Sequence, residues 1–152
     1  EYVESSEYYH MLQRLITERL LHGNVAFLGR ISDEDLHIVM ARHDMYVSAA
    51  HLQSWGLAVF EAMASGLPVI VSRSTGASEV LADGETALLV DPKSPEQIAD
   101  AIQLLIDQPE LYSSVSKNGR KFVEQHISWS AYAHSIEQLF VKAIESKRLY
   151  RS

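Results

Sequence analysis

The stretch Gln53-Ser54-Trp55-Gly56-Leu57-Ala58-Val59-Phe60-Glu61-Ala62-Met63 joins a glycine turn to an apolar pattern of helical spacing, with one carboxylate inside it. A helix that opens just after a glycine presents unpaired N–H groups, and the aligned peptide dipoles behind them favour a bound anion such as a diphosphate. Gly56 removes the side chain that would obstruct a close approach. Glu61 lies about one and a half turns into that helix, within reach of ligand hydroxyls, of which a ribose diol is the obvious candidate. The plainer alternative is an exposed helical glutamate and a glycine that only makes a turn. A second cluster, Ser72-Arg73-Ser74-Thr75-Gly76-Ala77-Ser78-Glu79, offers hydroxyls, backbone donors at Thr75, Gly76 and Ala77, and a carboxylate at Glu79 that either reaches a sugar or caps a short helix. A third, Gly29-Arg30-Ile31, combines a flexible turn with an apolar side chain on which a base could lie flat. Arg30 and Arg73 are either surface cations or partners of phosphate. His51, near a strand end, could touch a sugar.

These residues need elements to hold them on one edge. Short continuous apolar runs at Val25–Leu28, Met45–Ser48, Val69–Val71 and Ala87–Val90 fit strands buried on both faces of a parallel sheet. Helical periodicity separates them: Leu36, Val39 and Met40 after the cap-like Ser32-Asp33-Glu34, and Val59, Phe60 and Met63 after Gly56. Ahead of them, Tyr8, Met11, Leu12, Leu15 and Ile16 predict a helix that stops near His22-Gly23-Asn24. Strand and helix alternate, the mark of a βαβ architecture, in which ligands bind outside the carboxyl ends of the strands. The last third is helical, with stripes at Ile98, Ala101, Ile102 and Leu105 and at Ile136, Leu139, Phe140, Ala143 and Ile144. Ser128-Trp129-Ser130 opens the final helix, and Pro92, Pro95 and Pro109 fall outside or at the start of helices. Trp55 and Trp129 are expected to pack rather than to stack on a ligand.

Composition narrows the chemistry. A chain of 152 residues, 47% hydrophobic, supports one core, so residues 1–152 are expected to form a single domain with 94–152 as its mainly helical end. A net charge of −7 argues against nucleic acid as a partner. With no cysteine and no close histidine pair, neither a disulfide framework nor a metal site is expected. No apolar run reaches the roughly 18 residues of a membrane span, and the start Glu1-Tyr2-Val3-Glu4 is neither a signal peptide nor an initiator methionine. The expected setting is cytoplasmic, peripheral to a membrane at most.

Taken in order, Asn24-Val25-x-Phe27-x-Gly29, Gly56-Leu57 ahead of Glu61-Ala62-Met63-Ala64-x-Gly66-x-Pro68-Val69-Ile70, Gly76-x-x-Glu79 and Asp83-Gly84 resemble family 4 of the retaining glycosyltransferases, from Asn24 to the final helix. The resemblance implies one Rossmann-like half of a GT-B enzyme: an α/β parallel sheet with flanking helices, the C-terminal donor-binding domain without its first two strands. It implies that Glu61, the second glutamate of an E-x7-E motif, binds the ribose, that Gly56 and Leu57 hold the diphosphate, that Gly29-Arg30-Ile31 hold the base, and that Thr75 to Ala77 line the donor pocket. Such enzymes move a sugar from a nucleotide diphosphate to a glycan or lipid-linked hydroxyl, in polysaccharide or glycoconjugate synthesis, with neither metal nor cofactor.

The pattern departs from the family at two places. Eight residues before Glu61, the first glutamate of the motif is Gln53, an uncharged amide, and Ala49-Ala50 replace a frequent Pro-Ser. The absent first strands would lie between Val25–Leu28 and Met45–Ser48, so the resemblance implies a gap in the sheet that invites strand exchange or oligomerisation, and an acceptor domain elsewhere. The expectation is a donor-binding part that does not transfer sugar alone. The alternatives are a non-catalytic nucleotide-sugar-binding module and, fitting less well, a sugar-nucleotide epimerase of the same architecture.

Overall fold

A computed structural model describes residues 7–149, in the order α1 (Glu7–Glu18), α2 (Asp33–Met40), β1 (Tyr46–Ser48), α3 (Leu57–Ala64), β2 (Val69–Ser72), a 3₁₀ helix (Gly76–Glu79), β3 (Leu88–Val90), α4 (Pro95–Asp107), α5 (Pro109–His126) and α6 (Trp129–Leu149). The Glu1–Glu4 start lies outside the described residues. The chain divides into two compact units, one up to Ile38 and one from Val39, where the sequence suggests a single body.

In the first unit α1 ends before Leu20, which has a φ of 55°, and Gly23 turns the chain at φ 87°. Phe27 then meets the edge of Tyr9 with ring centroids 4.9 Å apart. The expected strand at Val25–Leu28 is not one: the segment belongs to no β ladder, and Val25, Phe27 and Leu28 are exposed. An apolar run becomes a strand only when a neighbour accepts and donates its backbone bonds. Among the described residues the sheet contains β1, β2 and β3, and this segment pairs with none of them.

The second unit is built on that sheet. Its order is β1-β2-β3, all parallel, with Ile70 opposite Val47 and Leu88. Every residue of β2 is buried, as the continuous run Val69-Ile70-Val71 requires of a strand covered on both faces. On one face Ile70, Leu88 and Val90 pack with Ala101 and Leu105 of α4. On the other, α3 lies over β1 and β2, and α5 lies over α3. Gly119 permits that approach, because a Cβ there would stand 3.1 Å from Thr86 O and 3.3 Å from Met63 Cε.

Local chemistry sets the helix ends. Pro95 and Pro109 occupy first-turn positions, where a missing N–H costs nothing. Ser128 Oγ accepts the Ala131 N–H at 3.1 Å and opens α6. Tyr112 Oη and Ser116 Oγ of α5 donate to Asp44 O and Gly66 O, each at 2.7 Å, which ties this helix to both ends of the β1–α3–β2 crossover. The expected helical end is therefore three helices, α4 to α6. Trp129 corrects one expectation: it is 87% exposed and meets the edge of Tyr132 rather than packing into a core.

Two outcomes follow. Met63 is fully buried between α3 and α5, so Met63→Ala should cost about 2–5 kcal/mol, read as a lower urea midpoint with an unchanged slope. Burial and, secondarily, the Glu61 carboxylate hold the Tyr46 phenol above its ordinary range. The native state therefore keeps that proton longer than the unfolded chain, and stability present below pH ~10 is lost as the pH rises beyond it. Tyr46→Phe should flatten this alkaline loss in pH-dependent melts; a slope equal to wild type would contradict it.

Candidate functional site

β1 and β2 leave the sheet at the same edge and continue side by side. Gln53 and Thr75 form a further parallel bridge, Gly76 N–H donates to Gln53 O at 2.9 Å, and Ala77 N–H donates to Trp55 O at 2.8 Å. Ser74 Oγ adds a bond to Ala50 O at 2.9 Å. The two loops thus form one ledge beyond the carboxyl ends of the strands, where parallel sheets place ligands. Gly76 is indispensable to it: a Cβ would fall 1.9 Å from Ser54 O, inside the backbone of the facing loop.

Gly56 turns the ledge into α3. It sits in the left-handed region at φ 85° and ψ 58°, and its carbonyl accepts the Val59 N–H at 2.9 Å. No side chain caps this helix; Gly56 is buried at its start, and Leu57 after it is exposed. An anion there gains typically about 0.3–1 kcal/mol from the dipole, and up to about 2 when partly buried. Glu61 is exposed on the same helix, while Val59, Phe60, Ala62 and Met63 are buried around it. Trp55 packs on one side only, its ring 5.2 Å from that of Phe60 while the residue stays 37% exposed.

The structure brings Gln53, Gly56, Thr75, Gly76 and Ala77 together. Gln53 is exposed, yet its Oε1 lies 3.2 Å from the point where a Gly56 Cβ would stand, and Thr75 Cγ2 approaches the same point to 2.8 Å. Glu79 closes the 3₁₀ helix on the same loop with an exposed carboxylate. Gly29, Arg30 and Ile31 belong to the first unit, where Gly29 has a φ of 65°.

Two expectations are corrected. The amides of Thr75, Gly76 and Ala77 are not free donors: Thr75 N–H bonds Ser72 O at 2.9 Å, and the other two bond the facing loop. Thr75 to Ala77 therefore contribute shape and side chains. Arg73 is not a free phosphate partner either. Its guanidinium is held by Asp83 at 2.5 Å, with Asp91 at 3.7 Å and Leu89 O at 3.3 Å, which ties the start of this loop to β3. Each group is about half exposed, so the contribution is to geometry more than to stability.

Sequence reasoning missed two features. Tyr46 lies close enough to Glu61 for the carboxylate to raise its pKa. The Thr75 hydroxyl is buried and, among the described residues, is the side-chain polar atom left without a partner, a condition that costs about 1–3 kcal/mol. The hydroxyl-rich composition of the 72–78 loop hinted at the second of these and nothing in the sequence at the first. Among the described residues no cluster of three His, Cys, Asp or Glu could hold a metal ion. No helix among them is long and apolar enough to cross a membrane. The uncapped start of α3 thus has the Gln53 amide beside it, with exposed carboxylates at Glu61 on the same helix and at Glu79 on the facing loop.

The chain is similar to several known proteins in sequence and fold. A sucrose synthase from Melioribacter roseus is 30% identical over 145 residues, covering 90% of this chain and 18% of that protein. The crystal structure of the C-terminal domain of a glycosyl transferase group 1 family protein from Francisella tularensis superposes with a TM-score of 0.73 at 31% identity, covering 81% of this chain and 64% of that one. Anabaena HepE, solved in complex with UDP-glucose, shares the fold with a TM-score of 0.78 at 24% identity, over 93% of this chain and 38% of its own. The model of the family described as glycosyl transferases group 1 matches residues 5–122, through both loops of the ledge and all three strands, and the chain belongs to that family.

Proposed function

We propose that this chain is the donor-binding part of a retaining, family 4 glycosyltransferase, which moves a sugar from a nucleotide-diphosphate sugar to a hydroxyl. The observation that carries this reading is the uncapped amino end of α3, opened by left-handed Gly56 on the carboxyl edge of a parallel sheet. In this reading the Gly56 and Leu57 amides take the diphosphate, and the α3 dipole stabilises the charge that develops as it leaves. Glu61 accepts hydrogen bonds from the ribose hydroxyls. Gly29, Arg30 and Ile31 hold the base, Thr75 to Ala77 line the pocket, and Gln53 and Glu79 face the sugar. The UDP-glucose bound by Anabaena HepE supports the choice of ligand class. A facing domain of the GT-B architecture brings the glycan or lipid-linked hydroxyl, so this chain by itself binds the donor without transferring it.

Gln53 favours a second reading, a nucleotide-sugar-binding module without catalysis. An amide beside Gly56 still donates and accepts hydrogen bonds, but it offers no charge to an oxocarbenium-like transition state.

Calorimetric titration with UDP, ADP and GDP should detect binding of at least one nucleoside diphosphate; no heat from any of them would end the donor reading. For the one that binds, Glu61→Ala should weaken affinity about tenfold while pyrophosphate binding is unchanged, since only the ribose contact is removed. Gln53→Glu should raise sugar transfer about tenfold or more in an assay with UDP-glucose, ADP-glucose and GDP-mannose if a missing charge limits catalysis. An unchanged rate would favour the binding module.

A further inference from the structure

The Thr75 hydroxyl is unexplained by the fold. Thr75 is 1% exposed and its Oγ1 has no partner, although its backbone is fully used: the N–H donates to Ser72 O, and the carbonyl accepts the Ser78 N–H at 2.9 Å. A valine would fill the same space without burying an unpaired polar atom. The side chain that carries it nevertheless stands beside Gln53 and Gly56, with its methyl turned towards them. Thr75 and Gln53 are bridge partners, so their side chains leave the paired loops on the same face. The Thr75 methyl lies 2.8 Å from the point that a Gly56 Cβ would occupy, and Gln53 Oε1 lies 3.2 Å from that same point. The absence of a side chain at Gly56 leaves the two groups free to meet.

We propose that Thr75 is a positioning residue for Gln53: a one-third turn about its Cα–Cβ bond brings the hydroxyl to the place the methyl now holds and carries the methyl to that of Hβ, and the hydroxyl donates to Gln53 Oε1 when a nucleotide-sugar occupies the ledge. Both arrangements are staggered rotamers of threonine, and the turn moves the methyl as well as the hydroxyl. Once its oxygen is engaged, the Gln53 amide has one orientation, with its NH2 group turned to the open ledge. The ligand then meets two fixed donors from position 53, suited to the oxygens of a sugar or its phosphate. The hydroxyl thus gains in the bound state the partner it lacks in the free one. This inference rests on the donor reading above and adds the device that orients one of its contacts.

The test uses the full-length protein and whichever of UDP-glucose, ADP-glucose and GDP-mannose it binds, each compared with its own nucleoside diphosphate by calorimetry, alongside thermal melts. Thr75→Val should weaken nucleotide-sugar binding about tenfold, leave nucleoside diphosphate binding within about twofold, and raise the melting temperature by about 2–4 °C. Thr75→Ser should restore wild-type binding. Gln53→Leu should show the same loss as Thr75→Val, and the double variant should lose no more than either single one, because both remove one unit. Wild-type nucleotide-sugar affinity in Thr75→Val, additive losses in the double variant, or equal weakening of the nucleoside diphosphate would each overturn the proposal. A lower melting temperature for Thr75→Val would do so too, since it would mean that the hydroxyl is already bonded in the free protein. If the wild-type chain bound no nucleoside diphosphate, the donor reading would fall and this inference with it; failure confined to the Thr75 variants leaves that reading standing.

Discussion

The close approach of two backbones at Gly76 governs the ledge. The bonds from Gly76 to Gln53 and from Ala77 to Trp55 carry the β1–β2 pairing past the ends of the strands. They fix where Gln53, Gly56 and Thr75 stand relative to one another, although these positions come from opposite ends of a crossover. A methyl group at position 76 would meet Ser54 O at 1.9 Å, so the pairing exists only because this residue has no side chain. Hydrogen bonds of this kind contribute modestly each, about 0.5–1.5 kcal/mol net, but they are directional, and direction is what a binding ledge needs.

In the proposed donor site the attraction for a diphosphate comes from dipoles. The chain carries a net charge of −7, and Arg73, on the ledge loop, is held by two aspartates. The end of α3 carries no side-chain cap, and the helix holds its first amides in a fixed direction. The ion pairs of Arg73 serve this end indirectly, because they hold the loop that carries Thr75 and Gly76 against β3.

Burial is divided along α3 in a way that joins stability to binding. Val59, Phe60, Ala62 and Met63 face the sheet and α5, while Glu61 and Leu57 remain in solvent. The helix is only eight residues long, too short to persist alone, so tertiary packing holds it in place. Its apolar face is therefore the foundation of its open end, and a cavity beneath it would disturb the site as well as the core.

Much of this was legible along the chain. The runs Met45–Ser48, Val69–Val71 and Ala87–Val90 are strands in the structure within a residue or so, because a continuous apolar run bounded by polar turns has few other ways to be buried. The helix after Gly56 was equally plain, since glycine geometry and helical spacing are local properties. The partners of each polar group were not legible. Val25–Leu28 reads as a strand, Arg73 as a free cation and the amides of Thr75 to Ala77 as open donors, yet the structure unpairs the first and engages the others. Periodicity reports which residues seek burial; it does not report which groups, far away in the chain, arrive beside them. Hydrogen bonds and ion pairs reach only about 3–4 Å, so their pairing is decided when the fold closes and not before.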